Sequence, residues 1–243
     1  MPLAKPSSGI EELVDKDSGK EIVATPVVVD RFEELKKKYE QFLMVEDGFI
    51  EKRKNNMKEV LLPCEINIFL QQTREYENHK NYGWSTGHFI SQLVQNSYNA
   101  GNNNFELDMN SLKPINNIAS HVTGTDERKV NIIIKGEAGD WCGYFARHFT
   151  FTIKKAGSEC GYLAKQCTFT IEKAGSWCGC QAEHSTFTIE KAGSMYGSEA
   201  QHSTFNTHNP KQYERFKESV PQDTGNKIYL LSSDGSILKG GPW

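Results

Sequence analysis

Apolar and polar residues alternate in one short unit that returns at fixed spacing along the second half of the chain. Thr-Phe-Thr-Ile stands at 150–153, 168–171 and 186–189, and the series ends in Thr204-Phe205-Asn206-Thr207. Alternation of this kind predicts a strand with one face in and one face out. Phe151, Phe169, Phe187 and Phe205 are expected to point inward with Ile153, Ile171 and Ile189, and the flanking threonines outward. Between strands, Ala-Gly recurs at 138–139, 156–157, 174–175 and 192–193, a period of 18 residues. A second glycine follows at Gly143, Gly161, Gly179 and Gly197, and an alanine at Ala146, Ala164, Ala182 and Ala200. A period this short predicts a solenoid in which each repeat is one coil and equivalent positions stack, at about 4.8 Å per coil. The glycines are expected at the turns, at backbone angles that a side chain resists.

The left-handed hexapeptide helix also has 18-residue coils, but it needs an apolar residue every sixth position. Counting from Ile153 gives Glu159 and Lys165, so that pattern fails. The expected fold is α+β: a right-handed parallel β-helix over 130–207, preceded by a helical region at 27–129 and closed by a helix–hairpin cap at 208–243.

The segment Ile134-Lys-Gly-Glu-Ala-Gly-Asp-Trp-Cys-Gly-Tyr-Phe-Ala146 resembles the GXGXG β-helix repeat. That repeat forms the C-terminal domain of the glutamate synthase large subunit and a subunit of formylmethanofuran dehydrogenase. The later coils are one residue shorter between strand and glycine. In those enzymes the β-helix is scaffolding and other domains carry the reaction, so the resemblance implies a fold and argues against catalysis. A helical leader followed by such coils is also similar to uncharacterised archaeal β-helix proteins.

Outside the repeat, residues 1–26 are rich in Pro, Ser, Gly, Lys and Glu and are expected to lack order. Val27-Val28-Val29 reads as an isolated strand. Asp30 reads as the cap of a helix from Arg31 to about Met44, with an extension past Gly48 toward Leu62 and a stop at Pro63. Glu65–Gln71 fits strand or helix, and 72–84 a loop. A second helix is expected from Ser85 to Gly101, a strand over Phe105–Met109 and a loop over 110–129. After the coils, Asn209-Pro210 opens a helix with Gln212 completing a capping box. Tyr213, Phe216 and Val220 form its apolar face, and Asp234-Gly235 turns a hairpin between 227–231 and 236–239.

The net charge of −3 gives no nucleic-acid footprint, and no apolar run is long enough to span a membrane. No secretory leader pattern opens the chain, and five of the six cysteines follow the repeat rather than a disulfide framework. A reducing cytoplasm is the expected setting.

Candidate chemistry lies in the stacked columns. Cys142, Cys160 and Cys178 converge from one side only, which suits a buried thiol ladder better than a tetrahedral zinc site. His184 and His202 are neighbours in a column with His148; a solvated row beside a strand is the leading reading, with the two as a candidate ligand pair the rival. Glu172 and Glu190 stack beside lysines, an arrangement for surface ion pairing rather than acid–base work. Thr150, Thr168 and Thr186, with Thr152, Thr170 and Thr188, make a regular hydroxyl array. No catalytic triad, phosphate loop or dinucleotide fingerprint is present. The leading expectation is a non-enzymatic scaffold or interaction module without catalytic residues, cofactor or metal, meeting a protein partner or a second copy through its sheet faces. The rivals are an enzyme using Asp140, Trp141, His148 or His121 near the first coils, and an ice-binding threonine face.

Overall fold

The computed structural model describes residues 26–44 and 57–243, with side chains from 32 onward in the first stretch. The expected leader, apart from Pro26, and most of the expected helix extension toward Leu62 lie outside the described residues; the described end of that extension, 57–62, is not helical. The chain falls into two compact units, one ending at Lys38 and one spanning Tyr39–Trp243.

The first helix, α1, runs from Pro26 to Leu43. Val27–Val29 are therefore helical and not a strand, and Asp30 lies inside the helix and not at its cap. Proline at the first turn is the reason, because its missing N–H costs nothing there and its fixed φ starts a helix. The same effect reverses the expectation at Pro63, which opens helix α2 (Pro63–Gln72) instead of ending a segment. The Leu62 N–H donates to the Glu65 carboxylate at 2.7 Å, closing that N-terminus. A 3-10 turn, Thr73–Tyr76, and helix α3, Tyr82–Asn99, occupy much of the expected loop. Gly101, at φ +112°, follows α3 as expected.

Eight strands form one sheet in chain order: β1 (Asn104–Asp108), β2 (Val130–Glu137), β3 (Phe149–Ala156), β4 (Thr168–Ala174), β5 (Thr186–Ala192), β6 (Thr204–Thr207), β7 (Lys227–Leu231) and β8 (Ile237–Pro242). All neighbours are parallel except β7 and β8. This is the parallel β-solenoid that the repeat predicts. Phe151, Phe169, Phe187 and Phe205 are in register and fully buried, as are Ile153, Ile171 and Ile189 to within a few per cent. Burying one such side chain is worth about 1.5–3 kcal/mol, and here the same residue is stacked rung after rung. The repeated alanines, Ala146 to Ala200, are also fully buried. A second ladder of single parallel bridges runs Thr123, Arg147, Lys165, Glu183, Gln201.

The two glycines of each repeat work differently. Gly161 has φ +69°, and a Cβ there would meet the Phe187 ring at 2.8 Å. Gly157 has no left-handed φ; it is small because the preceding coil lies against it, and a Cβ would sit 2.6 Å from the Gly139 carbonyl carbon. Only the second glycine is thus at the special backbone angle expected for both.

The expected loop at 110–129 is largely a further coil. Asn117, Ala119 and His121 have left-handed φ, matching Trp141, Gly143 and Phe145 one coil on. Asn117 N–H donates to Asp140 O at 2.8 Å, Gly143 N–H to Ile118 O at 2.9 Å and His121 N–H to Tyr144 O at 2.7 Å. Ile115, Ile118 and Val122 fill its interior. Its strand, β1, pairs with β2 at a step of 27 residues instead of 18. Helix α3 lies against this coil through Gly87, where a Cβ would meet Asn116 O, and the Ser91 hydroxyl donates to Asn117 O at 3.0 Å. The Asn67 carboxamide oxygen accepts from the Asp108 N–H at 2.8 Å, fixing α2 to β1.

At the other end, Asn209 caps helix α4 (Pro210–Ser219), accepting from the N–H groups of Lys211 and Gln212. Gln212 does not close a capping box: its side-chain oxygen accepts from the Ala192 N–H at 3.1 Å, tying the helix to β5. Phe216 is fully buried and meets Tyr196 edge-on at 4.8 Å and Phe205 at 5.9 Å. Helix α4 therefore covers the interior at the last repeat. The hairpin does something else. Strand β7 pairs in register with β6, Ile228 beside Phe205, and extends the sheet by a rung.

Candidate functional site

The threonine and histidine columns singled out by the repeat lie on one surface, on and beside the sheet face. On the sheet face, Thr152 and Thr170 are exposed, and Thr150, Thr168, Thr186 and Thr188 are half-buried. The hydroxyl array does not run the length of the sheet. Asn131 and Ile133 continue its two columns on β2, Asn206 breaks one on β6, and Lys227 and Tyr229 replace both on β7. It is flanked by the ion pair of Lys135 with Glu106 and by a 2.6 Å hydrogen bond between His208 Nδ1 and the Glu190 carboxylate.

Beside the threonines runs the histidine column, each member at left-handed φ. His184 and His202 stack face to face, centroids 5.0 Å apart and planes 7° from parallel. His202 Nδ1 lies against the backbone of Gly225, where an added Cβ would be 2.3 Å from it. His148 is placed differently: its Nδ1 lies 2.9 Å from a carboxylate oxygen of Asp126, in a contact not aligned as a hydrogen bond. A shallow groove of about 410 Å³ lies here, lined by Asp126, Lys129, Gln166, Cys167, Thr168 and His184. Among the described residues, no group of three His, Cys, Asp or Glu side chains is arranged to hold a metal ion.

The thiols sit where stacking predicts. Cys142, Cys160 and Cys178 are fully buried, as Cys167 and Cys180 nearly are, while Cys64 on α2 is exposed. Burial pushes the Cys167 thiol up to about 12 and the Cys180 thiol to about 11, and raises Cys142 as well. Contact with Cys178 together with burial raises Cys160. Cys142 Sγ donates to Gly139 O at 3.1 Å. Thiols held protonated in this way are poor nucleophiles and poor metal ligands.

The second surface is the turn side of the coils, and the columns alone do not disclose it. Trp141, Tyr144, Phe145 and Tyr162 are half-buried and in mutual contact. Trp141 meets Tyr144 edge-on at 5.0 Å and Tyr162 at 5.9 Å; Tyr144 meets Phe145 at 4.5 Å. His121 stacks on Phe145 at 5.4 Å, 11° from parallel. Each of Trp141, Phe145 and His121 has left-handed φ, which turns its side chain out of the coil. Their backbone is held by the ladder: Trp141 N–H donates to Ser158 O at 2.9 Å and Phe145 N–H to Tyr162 O at 3.0 Å. Trp177, 40% exposed, and Met195, 43% exposed, continue the Trp141 column. The residues proposed for an enzymatic site are thus divided. Asp140, Trp141 and His121 join the aromatic corner, and His148 pairs with Asp126.

No known protein family, curated protein or solved structure matches the chain. Among the described residues, no helix is long and apolar enough to cross a membrane.

Proposed function

We propose that this protein is a non-enzymatic β-solenoid interaction module, in keeping with the GXGXG resemblance of residues 134–146. The observation that carries it is the cluster of Trp141, Tyr144, Phe145 and Tyr162 on the turn side of the coils. Aromatic side chains present large contact area at small entropic cost and are enriched where proteins meet. This corner is more apolar than the threonine sheet face and rests on a ladder of coil-to-coil hydrogen bonds, so it is pre-organised. The groove beside His184 is shallow and polar, and the Cys167 thiol on its wall is held protonated by burial. The test is site-specific photocrosslinking in the full-length protein. A crosslinker at Met195 should capture a discrete partner, and one at Thr170 should not. Capture should be lost on Trp141→Ser with Tyr144→Ser while the melting temperature is kept. Capture at Thr170 alone would move the interface to the sheet face; capture at neither position would overturn the module reading.

A further inference from the structure

The aromatic corner carries its own charge pattern. One column of equivalent turn positions reads Trp141, Glu159, Trp177, Met195 from coil to coil. Glu159 thus stands between two tryptophans, one rung, about 4.8 Å, from each. Its N–H donates to Ser176 O and that of Trp177 to Ser194 O, so all are held by the same ladder. Asp140 is beside it, with one carboxylate oxygen accepting from the Ser158 N–H at 2.7 Å. Burial raises the Glu159 carboxyl above its ordinary range, and repulsion from Asp140 adds to the rise. Three other acidic groups on the coils each meet a base: Glu137 with Lys155, Glu183 with Lys165, Glu106 with Lys135. At this corner the charged neighbour that acts on Glu159 is another acid. The result is an acidic edge on a half-buried aromatic platform.

We infer that this corner docks a cationic side chain, foremost arginine, presented by an extended segment of a protein partner. A guanidinium is planar, stacks on the face of Trp and pairs bidentately with a carboxylate. Trp141, Glu159 and Trp177 offer those two interactions at neighbouring positions of one column. Cation–π contact is strongest on Trp and grows when the site is partly dry. Binding would also relieve the repulsion between Asp140 and Glu159. Tyr144 and Tyr162 widen the platform for the apolar stem of the same side chain. The assignment rests on the interaction-module reading and adds the chemistry of the partner.

The probe is a fluorescent peptide with three arginines separated by glycines, titrated by anisotropy against the full-length protein. Its counterpart carries citrulline, which keeps the shape and loses the charge. The arginine peptide should bind at least ~10-fold more tightly than the citrulline peptide, about 1.4 kcal/mol. Glu159→Gln and Trp177→Ala should each weaken it by ~3- to 10-fold, the scale of a partly desolvated cation–π or ion-pair contact, whereas Glu172→Gln on the sheet face should not. Trp177 and Glu159 are exposed enough for the variants to fold, and circular dichroism checks this. Equal binding of the two peptides would overturn the cationic assignment and leave an uncharged-partner module standing. Loss of binding with Glu172→Gln as large as with Glu159→Gln, or no binding of the arginine peptide at all, would overturn it too. The photocrosslinking result is independent of either outcome.

Discussion

The rings of Phe169 and Phe187 lie parallel, 1° apart in orientation, with centroids 4.8 Å from each other. That separation is the distance between hydrogen-bonded strands, so the side-chain stack and the backbone ladder share one repeat. Phe205 continues the stack at 5.4 Å, and Phe151 meets Phe169 at a steeper angle. The core is a column, and each member supports two neighbours.

Phe169→Ala should therefore lower stability by about 3–5 kcal/mol, the range for emptying a buried aromatic site. Thr170→Ala, one residue along and exposed, should change it by less than about 0.5 kcal/mol. Urea unfolding of the two variants checks the order, and the reverse order would put the wrong face inside.

Only Cys64 is open to solvent. A thiol reagent on the native protein at pH 8 should label that cysteine rapidly and the five repeat cysteines only on unfolding. Mass spectrometry of labelled peptides reads this directly. Rapid labelling of Cys160 or Cys178 in the native state would contradict the buried ladder.

Helix α4 and strand β7 end the solenoid by different means, one covering apolar side chains and the other pairing the backbone of β6. Ending the chain at His208 removes both and exposes Phe205 and a sheet edge, a template for association with another copy. Such a truncated protein should aggregate or melt early. Phe216→Ala leaves β7 in place, so it should lower the melting temperature without producing oligomers, as light scattering would show. A truncated chain that stays monomeric and melts like the full protein would rule out the capping role.

Glu159 supplies a pH-dependent test. Its carboxyl is raised in the folded state, so the folded protein holds that proton more tightly than the unfolded chain. The ionised form is the disfavoured one. Its cost is present at neutral pH and disappears as pH falls through the raised value into the ordinary carboxyl range. Glu159→Gln should melt slightly higher than the natural protein at pH 7, with the difference closing near pH 4. A variant that melts lower at pH 7 would mean that Glu159 is stabilised by a base.

The repeat was legible because period-two alternation inside an 18-residue period leaves one in-register way to stack Phe on Phe and Ile on Ile. The burial of Cys142, Cys160, Cys178 and the alanines follows from the same register. Helix starts were less legible at Pro26, where Val27–Val29 read as a strand and Asp30 as the cap, and at Pro63, which read as a stop although the first turn accepts proline. The glycine pair was half legible: Gly161 needs its φ, and Gly157 needs only the space, which no single coil discloses.

The sequence by itself thus determined the solenoid, its strand register from β3 to β6, and which side of each strand is core. Tertiary structure decided where the solenoid begins and ends. Strand β1 joins after a step of 27 residues and β7 after one of 23, each with an insertion that hides the period. These segments are recruited because the edges of β2 and β6 carry backbone groups that need partners whatever the side chains are. Tertiary structure also assembled the aromatic corner. Trp141, Phe145 and His121 take left-handed backbone angles that their residue types do not announce. Hydrogen bonds to the neighbouring coils hold those angles, and coil-to-coil stacking brings Tyr162 and Glu159 beside them.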